Sequence, residues 1–252
     1  MEDEDFEEIR RTVRAFVRDR VVPLEQRIDA EDEIPEDIRV AAKEMGLYGF
    51  AIPAGYSGLG LGMHEECRLV FELGYTTPAF RSLFGSNNGI AGHVLVEGAT
   101  EEQRRRWLPR LASGEVVASF ALTEPDAGSD PSGLSTSARR EGDGWSIEGS
   151  KRYITNAPVA DAFMVFARTG GPGSGGISVF MVPARSAGLT VGPRDKKMGQ
   201  AGAWTADVHL DAVHVGADAL VGGEEGLGRG WSTAMRCLAH GRIHIAALCV
   251  GM

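Results

Sequence analysis

Cysteine is scarce in this sequence of 252 residues, which contains only Cys67, Cys237 and Cys249. The three cysteines form no C-x-x-C pair, and their number is odd, so the sequence shows no disulfide framework. This cysteine usage is typical of proteins in a reducing compartment, and we therefore predict a cytoplasmic location.

Other features are absent as well. No apolar run approaches the roughly 18–20 residues that span a membrane, and residues 1–5 (M-E-D-E-D) lack the basic and apolar regions of a signal peptide. The 26 Lys and Arg residues are outnumbered by 35 Asp and Glu, and the resulting net charge of −9 argues against a nucleic-acid partner. No G-x-G-x-x-G follows a predicted strand and no G-x-S-x-G occurs, so a dinucleotide-binding fold and a serine hydrolase have no support.

The hydrophobic pattern changes its period along the chain. Apolar residues at three- and four-residue spacing predict helices over 6–22, 63–75, 82–97 and 101–111, and Thr100 with Gln103 forms a capping box. After Glu115 the pattern predicts short strands at 116–122, 134–140, 144–149, 161–168, 177–182 and 204–210. A last helix, 231–252, is still running where the sequence stops, so we expect a truncated chain. Helices followed by antiparallel strands indicate an α+β multidomain fold.

One stretch, residues 120–130 (F-A-L-T-E-P-D-A-G-S-D), has the composition of a ligand-binding loop. It ends an apolar strand, Thr123 and Ser129 offer hydroxyl groups, and Gly128 permits a close backbone approach. Loops of exposed N–H groups and hydroxyls hold phosphates or polar heterocycles. The same residues also suit a plain connecting turn, and composition alone leaves both interpretations open.

This stretch resembles the flavin-binding signature of the acyl-CoA dehydrogenase family, an aromatic and two apolar residues before T-E-P-x-A-G-S-D. Residues 46–60, 98–115 and 149–157 (G-S-K-R-Y-I-T-N-A) are similar to three further family motifs, in the family's order, so the resemblance covers essentially the whole chain. It implies an N-terminal helical domain (1–115) and a middle antiparallel β-sandwich or barrel domain that binds flavin (116–225). The start of a C-terminal helical bundle (226–252) would follow.

The resemblance also implies an activity. Family members are oxidoreductases that use FAD to convert an acyl-CoA thioester into a 2-enoyl-CoA, as in fatty acid β-oxidation. A carboxylate removes the α proton and the β hydrogen leaves as hydride to the flavin N5. The implied partners are an acyl-CoA substrate and an electron-transferring flavoprotein, in a homotetramer or hetero-oligomer. Two alternatives stay open: an acyl-CoA oxidase or flavin monooxygenase of the same fold, and a non-catalytic subunit that binds flavin or acyl-CoA.

Carried over by position, the family's flavin site falls on eight residues. They are Phe120, Leu122, Thr123, Gly128, Ser129, Tyr153, Ile154 and Thr155. The resemblance places the first three against the flavin ring, with Tyr153 and Thr155 covering its other side. Ser129 and Arg242 would contact the acyl-CoA.

No catalytic base and no metal ligand is assigned. In most of the family the base is a glutamate that would lie beyond residue 252. In a minority it precedes the arginine matched by Arg242, where this sequence has Gly241. Glu124 is expected to be structural. His240 and His244 are four residues apart on a predicted helix, but H-G-R-I-H is not a zinc motif, so we interpret them as surface or interface residues.

Overall fold

The computed structural model describes residues 2–252, which form eight α-helices and seven β-strands. The helices are α1 (Asp3–Phe16), α2 (Glu25–Glu31), α3 (Glu36–Glu44), α4 (Met63–Leu73), α5 (Pro78–Gly85), α6 (Ala91–Gly98), α7 (Glu101–Ala112) and α8 (Gly230–Gly251). The strands are β1 (Ala118–Ala121), β2 (Ser137–Glu141), β3 (Gly144–Thr155), β4 (Ala162–Arg168), β5 (Ile177–Pro183), β6 (Leu189–Val191) and β7 (Thr205–Gly216). The predicted α+β class is confirmed.

The helices begin and end for local reasons that the sequence shows. The predicted capping box is present, since Gln103 N donates to Thr100 Oγ1 at 3.2 Å and Thr100 N donates to Gln103 Oε1 at 3.0 Å. The helix predicted over 82–97 is present but is not one regular α-helix, because a π-helical turn (Ser86–Ile90) separates α5 from α6. Buried Asn87 lies in this turn and binds Leu111 O, Val116 O and Ala118 N, which joins the helices to the start of β1.

The seven strands form one curled sheet in the order β1-β4-β2-β3-β7-β6, with β5 paired to β4. Most neighbours are antiparallel, as predicted, but β1 and β2 both run parallel to β4, with Ala118 opposite Ala162 and Ser137 opposite Arg168. The expectation of a purely antiparallel sheet is therefore wrong at these two pairings. The chain reverses between β2 and β3 and again between β3 and β4, so β4 runs in the direction of β1 and β2. Strand β6 was not predicted, because three residues at a sheet edge carry too little pattern.

Helix α8 packs so closely against α4 that backbone atoms of the two segments are in contact. A Cβ added to Gly74, just after α4, would lie 2.3 Å from Leu248 O, and one added to Gly251 would lie 2.1 Å from Phe71 O. This close approach positions α8 beside the π-helical turn that follows α5. Within residues 2–252, no helix combines the length and the apolar character needed to cross a membrane.

We expect Gly74→Ala to lower the free energy of unfolding by about 1–3 kcal/mol, since the new methyl group meets backbone atoms of α8 that have no room to move. Urea unfolding measures the change. Gly55→Ala is the matched control, because nothing lies within 4 Å of a Cβ at that position. Equal stabilities of the two variants would contradict the close contact of α4 and α8.

Candidate active site

The two segments that carry the predicted flavin residues lie side by side. Arg152 N, in β3, donates to Thr123 O at 2.9 Å, just after β1. Four residues before Thr123, in β1, Ser119 Oγ donates to the carbonyl oxygen of Thr155 at the end of β3, at 2.7 Å. Residues about 30 positions apart in sequence therefore share one edge of the sheet.

A buried ion pair holds these segments together. Lys151 is fully buried, and its Nζ donates to Glu124 Oε1 at 2.8 Å and to Leu122 O at 3.2 Å. Glu124 also accepts hydrogen bonds from Ser135 N (2.6 Å), Ser135 Oγ (2.8 Å) and Thr136 N (3.0 Å). Both charges are thus paired and hydrogen-bonded, as buried charges require. Glu124 is structural, in agreement with the expectation from its sequence motif.

The protonation states follow from burial and pairing. Burial by itself raises the pKa of Glu124, but Lys151 and the Ser135 and Thr136 donors reverse this effect and lower the pKa to about 2. Burial lowers the pKa of Lys151 to about 8, and Glu124 limits the fall. With four polar partners around it, the Glu124 carboxylate is ionised at neutral pH and unavailable as a base.

Tyr153 has the most unusual conformation among the predicted residues. Its φ is +57°, in the left-handed region that bulky side chains avoid. It lies where the β3–β7 pairing shifts register between Lys151 and Ile154. The irregularity turns the ring outward, so that 60% of the residue is exposed while the Arg152 guanidinium lies 4.6 Å from the ring centroid. Strained aromatic residues held at a surface are candidates for ligand contact.

The remaining predicted residues differ in accessibility. Leu122 and Ile154 are buried in separate hydrophobic clusters, so a ligand could meet little more than their backbone atoms. Phe120 is half-buried against Phe166, with ring centroids 4.7 Å apart. Gly128 is exposed, as is Ser129 next to it.

A cleft of about 430 Å³ opens between the sheet and the helices. Its lining residues come from α5, the π-helical turn, β3, the loop before β7, and α8. They are Arg81, Ser82, Gly85, Ser86, Ile90, Thr155, Gln200, Leu238, Gly241, Arg242 and Ile245. The cleft therefore brings together Thr155 and Arg242, two of the residues singled out in the sequence, and contains no carboxylate.

Gly241 lines this cleft with backbone atoms only, and Ile90 packs closely against it. A Cβ at this position would lie 2.9 Å from Ile90 Cγ2, so a longer side chain would require Ile90 to move. The sequence analysis did not identify Arg81 as a site residue, because it lies among apolar residues of a helix. The pattern that could have indicated it is a cation followed by glycines four and eight residues later, Gly85 and Gly89.

Of the two interpretations of His240 and His244, surface or interface, the surface one is wrong, because both side chains lie between α8 and α4. His244 is fully buried and its Nε2 lies 2.5 Å from Glu66 Oε2, and His240 Nε2 lies 2.8 Å from the same oxygen. His93 stacks on His240 with ring centroids 4.1 Å apart. The sequence pattern lacked the third member of this cluster because Glu66 comes from α4, 174 residues away.

Burial controls the titration of this cluster. It lowers the pKa of His93 to about 4, assisted by the charge of His240, and it lowers the pKa of His244. Burial raises the pKa of Glu66, but hydrogen bonds from His240 and His244 more than compensate and the pKa falls to about 2. Three potential metal-ligand atoms lie within 4.8 Å of one another, one each from Glu66, His240 and His244. The two histidines already use these atoms in hydrogen bonds to Glu66.

Comparison with known proteins shows the family to which this chain belongs. The family model "Acyl-CoA dehydrogenase, N-terminal domain" matches residues 3–115, and "Acyl-CoA dehydrogenase, middle domain" matches residues 119–213. The chain belongs to the acyl-CoA dehydrogenase family.

Individual relatives are similar over nearly the whole chain. A 3-(aryl)acrylate reductase of Clostridium sporogenes is 33% identical over 250 residues, which are 99% of this chain and 66% of that protein. A glutaryl-CoA dehydrogenase from Mycobacterium smegmatis in complex with FADH2 has a TM-score of 0.88 at 31% identity and covers 99% of this chain and 62% of its own. A structure described as the electron transferring flavoprotein of Acidaminococcus fermentans has a TM-score of 0.93 at 30% identity, with 100% and 66% coverage. The chain thus spans a little under two thirds of the length of these relatives.

We expect Glu124→Gln to lower the free energy of unfolding by about 3–5 kcal/mol, because it leaves the buried Lys151 ammonium without its counter-charge. Lys151→Met combined with Glu124→Gln should cost less than the sum of the single changes, and a double-mutant cycle in urea measures the coupling. Additive single effects would contradict the pairing.

The pH dependence of stability follows from the same ion pair. The folded pKa of Glu124 lies below its ordinary value of 4.5. Its stabilising contribution is therefore complete above about pH 4.5 and should be lost as the pH falls towards 2.

We expect the free energy of unfolding to fall as the pH drops from about 6.5 to 4, since His93 binds a proton in the unfolded chain well before it does so in the folded one. One such group contributes a slope of up to about 1.4 kcal/mol per pH unit. The carboxylates of Glu66 and Glu97 and the rings of His240 and His244 also act on His93. His93→Gln should flatten the slope by this single-proton amount, and an unchanged slope would contradict a buried neutral His93.

Proposed function

We propose that this chain supplies the flavin-binding part of an FAD-dependent acyl-CoA dehydrogenase that converts an acyl-CoA thioester into a 2-enoyl-CoA. The observation that supports it is the cleft between β3 and α8. Thr155, from the second flavin motif, and Arg242, matched to the CoA-binding arginine, line this one cleft. We also keep the division into domains of 1–115, 116–225 and 226–252 as part of the proposal.

The residues present fit the cofactor. The exposed ring of Tyr153 gives the flat apolar surface on which an isoalloxazine can stack, and its left-handed backbone lies at the register shift that turns the ring outward. The loop after β1 exposes Gly128 and Ser129, and half-buried Thr123 carries a hydroxyl group. In this proposal eight residues hold FAD: Phe120, Leu122, Thr123, Gly128, Ser129, Tyr153, Ile154 and Thr155. When bound, FAD supplies a two-electron acceptor.

In this proposal the chain's own residues bind the substrate. Arg242 is exposed at the cleft and forms no ion pair within residues 2–252, so its guanidinium is free to bind a phosphate of CoA, with Ser129 as a second contact. Apolar Ile90, Leu238 and Ile245 line the space for an acyl chain. The cleft contains no carboxylate to accept the α proton, so we place the base outside this chain.

The wider setting completes the proposal. An electron-transferring flavoprotein would accept the electrons, and the reaction would belong to fatty acid β-oxidation in the cytoplasm. The family resemblance favours a homotetramer or hetero-oligomer. The similarity to a 3-(aryl)acrylate reductase supports one second candidate, the same bond change run towards the saturated product.

We expect Tyr153→Ala to weaken FAD binding about threefold to tenfold, because it removes one stacking surface. Equilibrium titration followed by flavin fluorescence measures the dissociation constant. Tyr75→Ala is the matched control, since Tyr75 is an exposed tyrosine of the helical region. Equal effects of the two variants would contradict the assignment of Tyr153.

Activity is tested on the gene product purified in its native reading frame and loaded with FAD. Anaerobic titration with acyl-CoAs of different chain length should bleach the oxidised flavin absorbance. Slow reaction of the reduced flavin with oxygen would separate a dehydrogenase from an oxidase or monooxygenase. Reoxidation by a 2-enoate in preference to an electron carrier would favour the reductase. Firmly bound FAD with no bleaching by any thioester would favour the non-catalytic subunit.

A further inference from the structure

Arg81 is a cation in the wall of the cleft without an anionic partner. It lies on α5 and is half-buried, and it forms no ion pair within the described residues 2–252. Its Nε is completely buried and has no hydrogen-bond partner. Burial lowers the pKa of Arg81 to about 10, so the guanidinium stays charged at neutral pH. A buried charge of this kind is unfavourable unless a ligand pairs with it.

The Arg81 side chain has a defined position, because two glycines of the same helical segment leave room for it. The guanidinium lies across Gly85, where an added Cβ would stand 2.6 Å from Arg81 Cζ. One turn further on, a Cβ at Gly89 would stand 3.2 Å from the Arg81 terminal nitrogen. The two glycines leave space for the guanidinium on the surface of their own helix. Any other residue at position 85 would displace it.

A hydrogen-bond chain from α4 fixes the far end of the side chain. An Arg81 terminal nitrogen lies 3.3 Å from His244 Nδ1, and His244 Nε2 lies 2.5 Å from Glu66 Oε2. Because a guanidinium only donates, Nδ1 accepts, and the ring proton is on Nε2, where it donates to Glu66. Glu66 therefore reaches Arg81 only through an imidazole. The remaining donors of Arg81 are left for a ligand.

The surroundings decide which kind of anion fits. The cleft lining contains two arginines and no acid, and its other residues are uncharged and mostly small or apolar, among them Gly85, Ile90 and Ile245. Arg242 is exposed and so offers the outer charge that a CoA phosphate needs, whereas the Nε of Arg81 is shielded from solvent. A planar guanidinium in a confined apolar space matches a planar carboxylate, which it can bind through two parallel hydrogen bonds.

We propose that Arg81 binds a carboxylate at the far end of the acyl chain, so that the substrate class is the CoA monothioester of a dicarboxylic acid. This inference rests on the proposed dehydrogenase function and adds the identity of its substrate. His244 and Glu66 are positioning residues that hold Arg81 in place. The resulting preference would be for an acyl tail that ends in a charge over one of the same length that ends in a methyl group.

The test uses the FAD-loaded native gene product and pairs of thioesters matched in carbon number, such as glutaryl-CoA with pentanoyl-CoA and adipoyl-CoA with hexanoyl-CoA. Anaerobic flavin bleaching shows which thioesters react, turnover with an artificial electron acceptor gives kcat/KM for each, and calorimetry gives the affinity for free CoA. We expect one carboxylated thioester to be preferred over its partner. Arg81→Gln should lower kcat/KM for it by about ten- to a hundredfold and change the methyl-terminated thioester by less than about threefold.

Two further variants separate the role of Arg81 from folding. Gly85→Ala suits a helix and should leave the protein folded, yet its methyl group displaces the guanidinium, so it should reproduce the selective loss. Arg242→Gln should weaken both thioesters and free CoA by a similar factor. A thermal unfolding midpoint close to that of the parent confirms that the Arg81 variants are folded.

The outcomes distinguish the two proposals. Bleaching by methyl-terminated thioesters with no preference for a carboxylate overturns the role of Arg81 and leaves the dehydrogenase standing. A loss of affinity for free CoA in Arg81→Gln also overturns it, because the arginine would then serve a CoA phosphate. No bleaching by either class overturns the dehydrogenase function and the substrate inference with it.

Discussion

The buried ion pair of Lys151 and Glu124 is the interaction on which the site depends. It connects the loop after β1 to β3 and is surrounded by hydrogen bonds from the segment before β2. A single unpaired charge here would be strongly destabilising, so the three segments have to assemble together. The same assembly fixes the backbone beside Tyr153, whose left-handed conformation is sustained only because its neighbours on both sides are held.

A second constraint is the placement of α8, which closes the cleft on the side facing the sheet. Gly74 and Gly251 allow backbone atoms of α8 to contact the end of α4. The buried Glu66 of α4 accepts hydrogen bonds from both histidines of α8. Hydrophobic contact alone would permit several registers of two helices, whereas a carboxylate that accepts from two imidazoles permits one. The network therefore sets which residues of α8, among them Gly241 and Arg242, face the cleft.

Several features of the fold and site were predictable because their causes are local. The capping box of Thr100 and Gln103 depends on residues three apart, and the change of period at Glu115 separates helices from strands. The continuous T-E-P loop identified the family by resemblance. The π-helical turn inside the helix predicted over 82–97 was not predicted, because Asn87 and Asn88 stabilise it by binding carbonyls of distant residues, which no local pattern signals. The parallel pairing of β1 with β4 is likewise a long-range choice.

By itself, then, the sequence determined the element types, the loop chemistry and the family, since these follow from neighbouring residues and from their order. Tertiary structure alone decided that His244 is buried rather than exposed, that Glu66 from another helix is its partner, and that Arg81 faces the same cleft as Thr155. The physical reason is burial. Whether a charged or titratable side chain is solvated or enclosed depends on which distant elements pack over it, and its pKa and its chemistry follow from that packing.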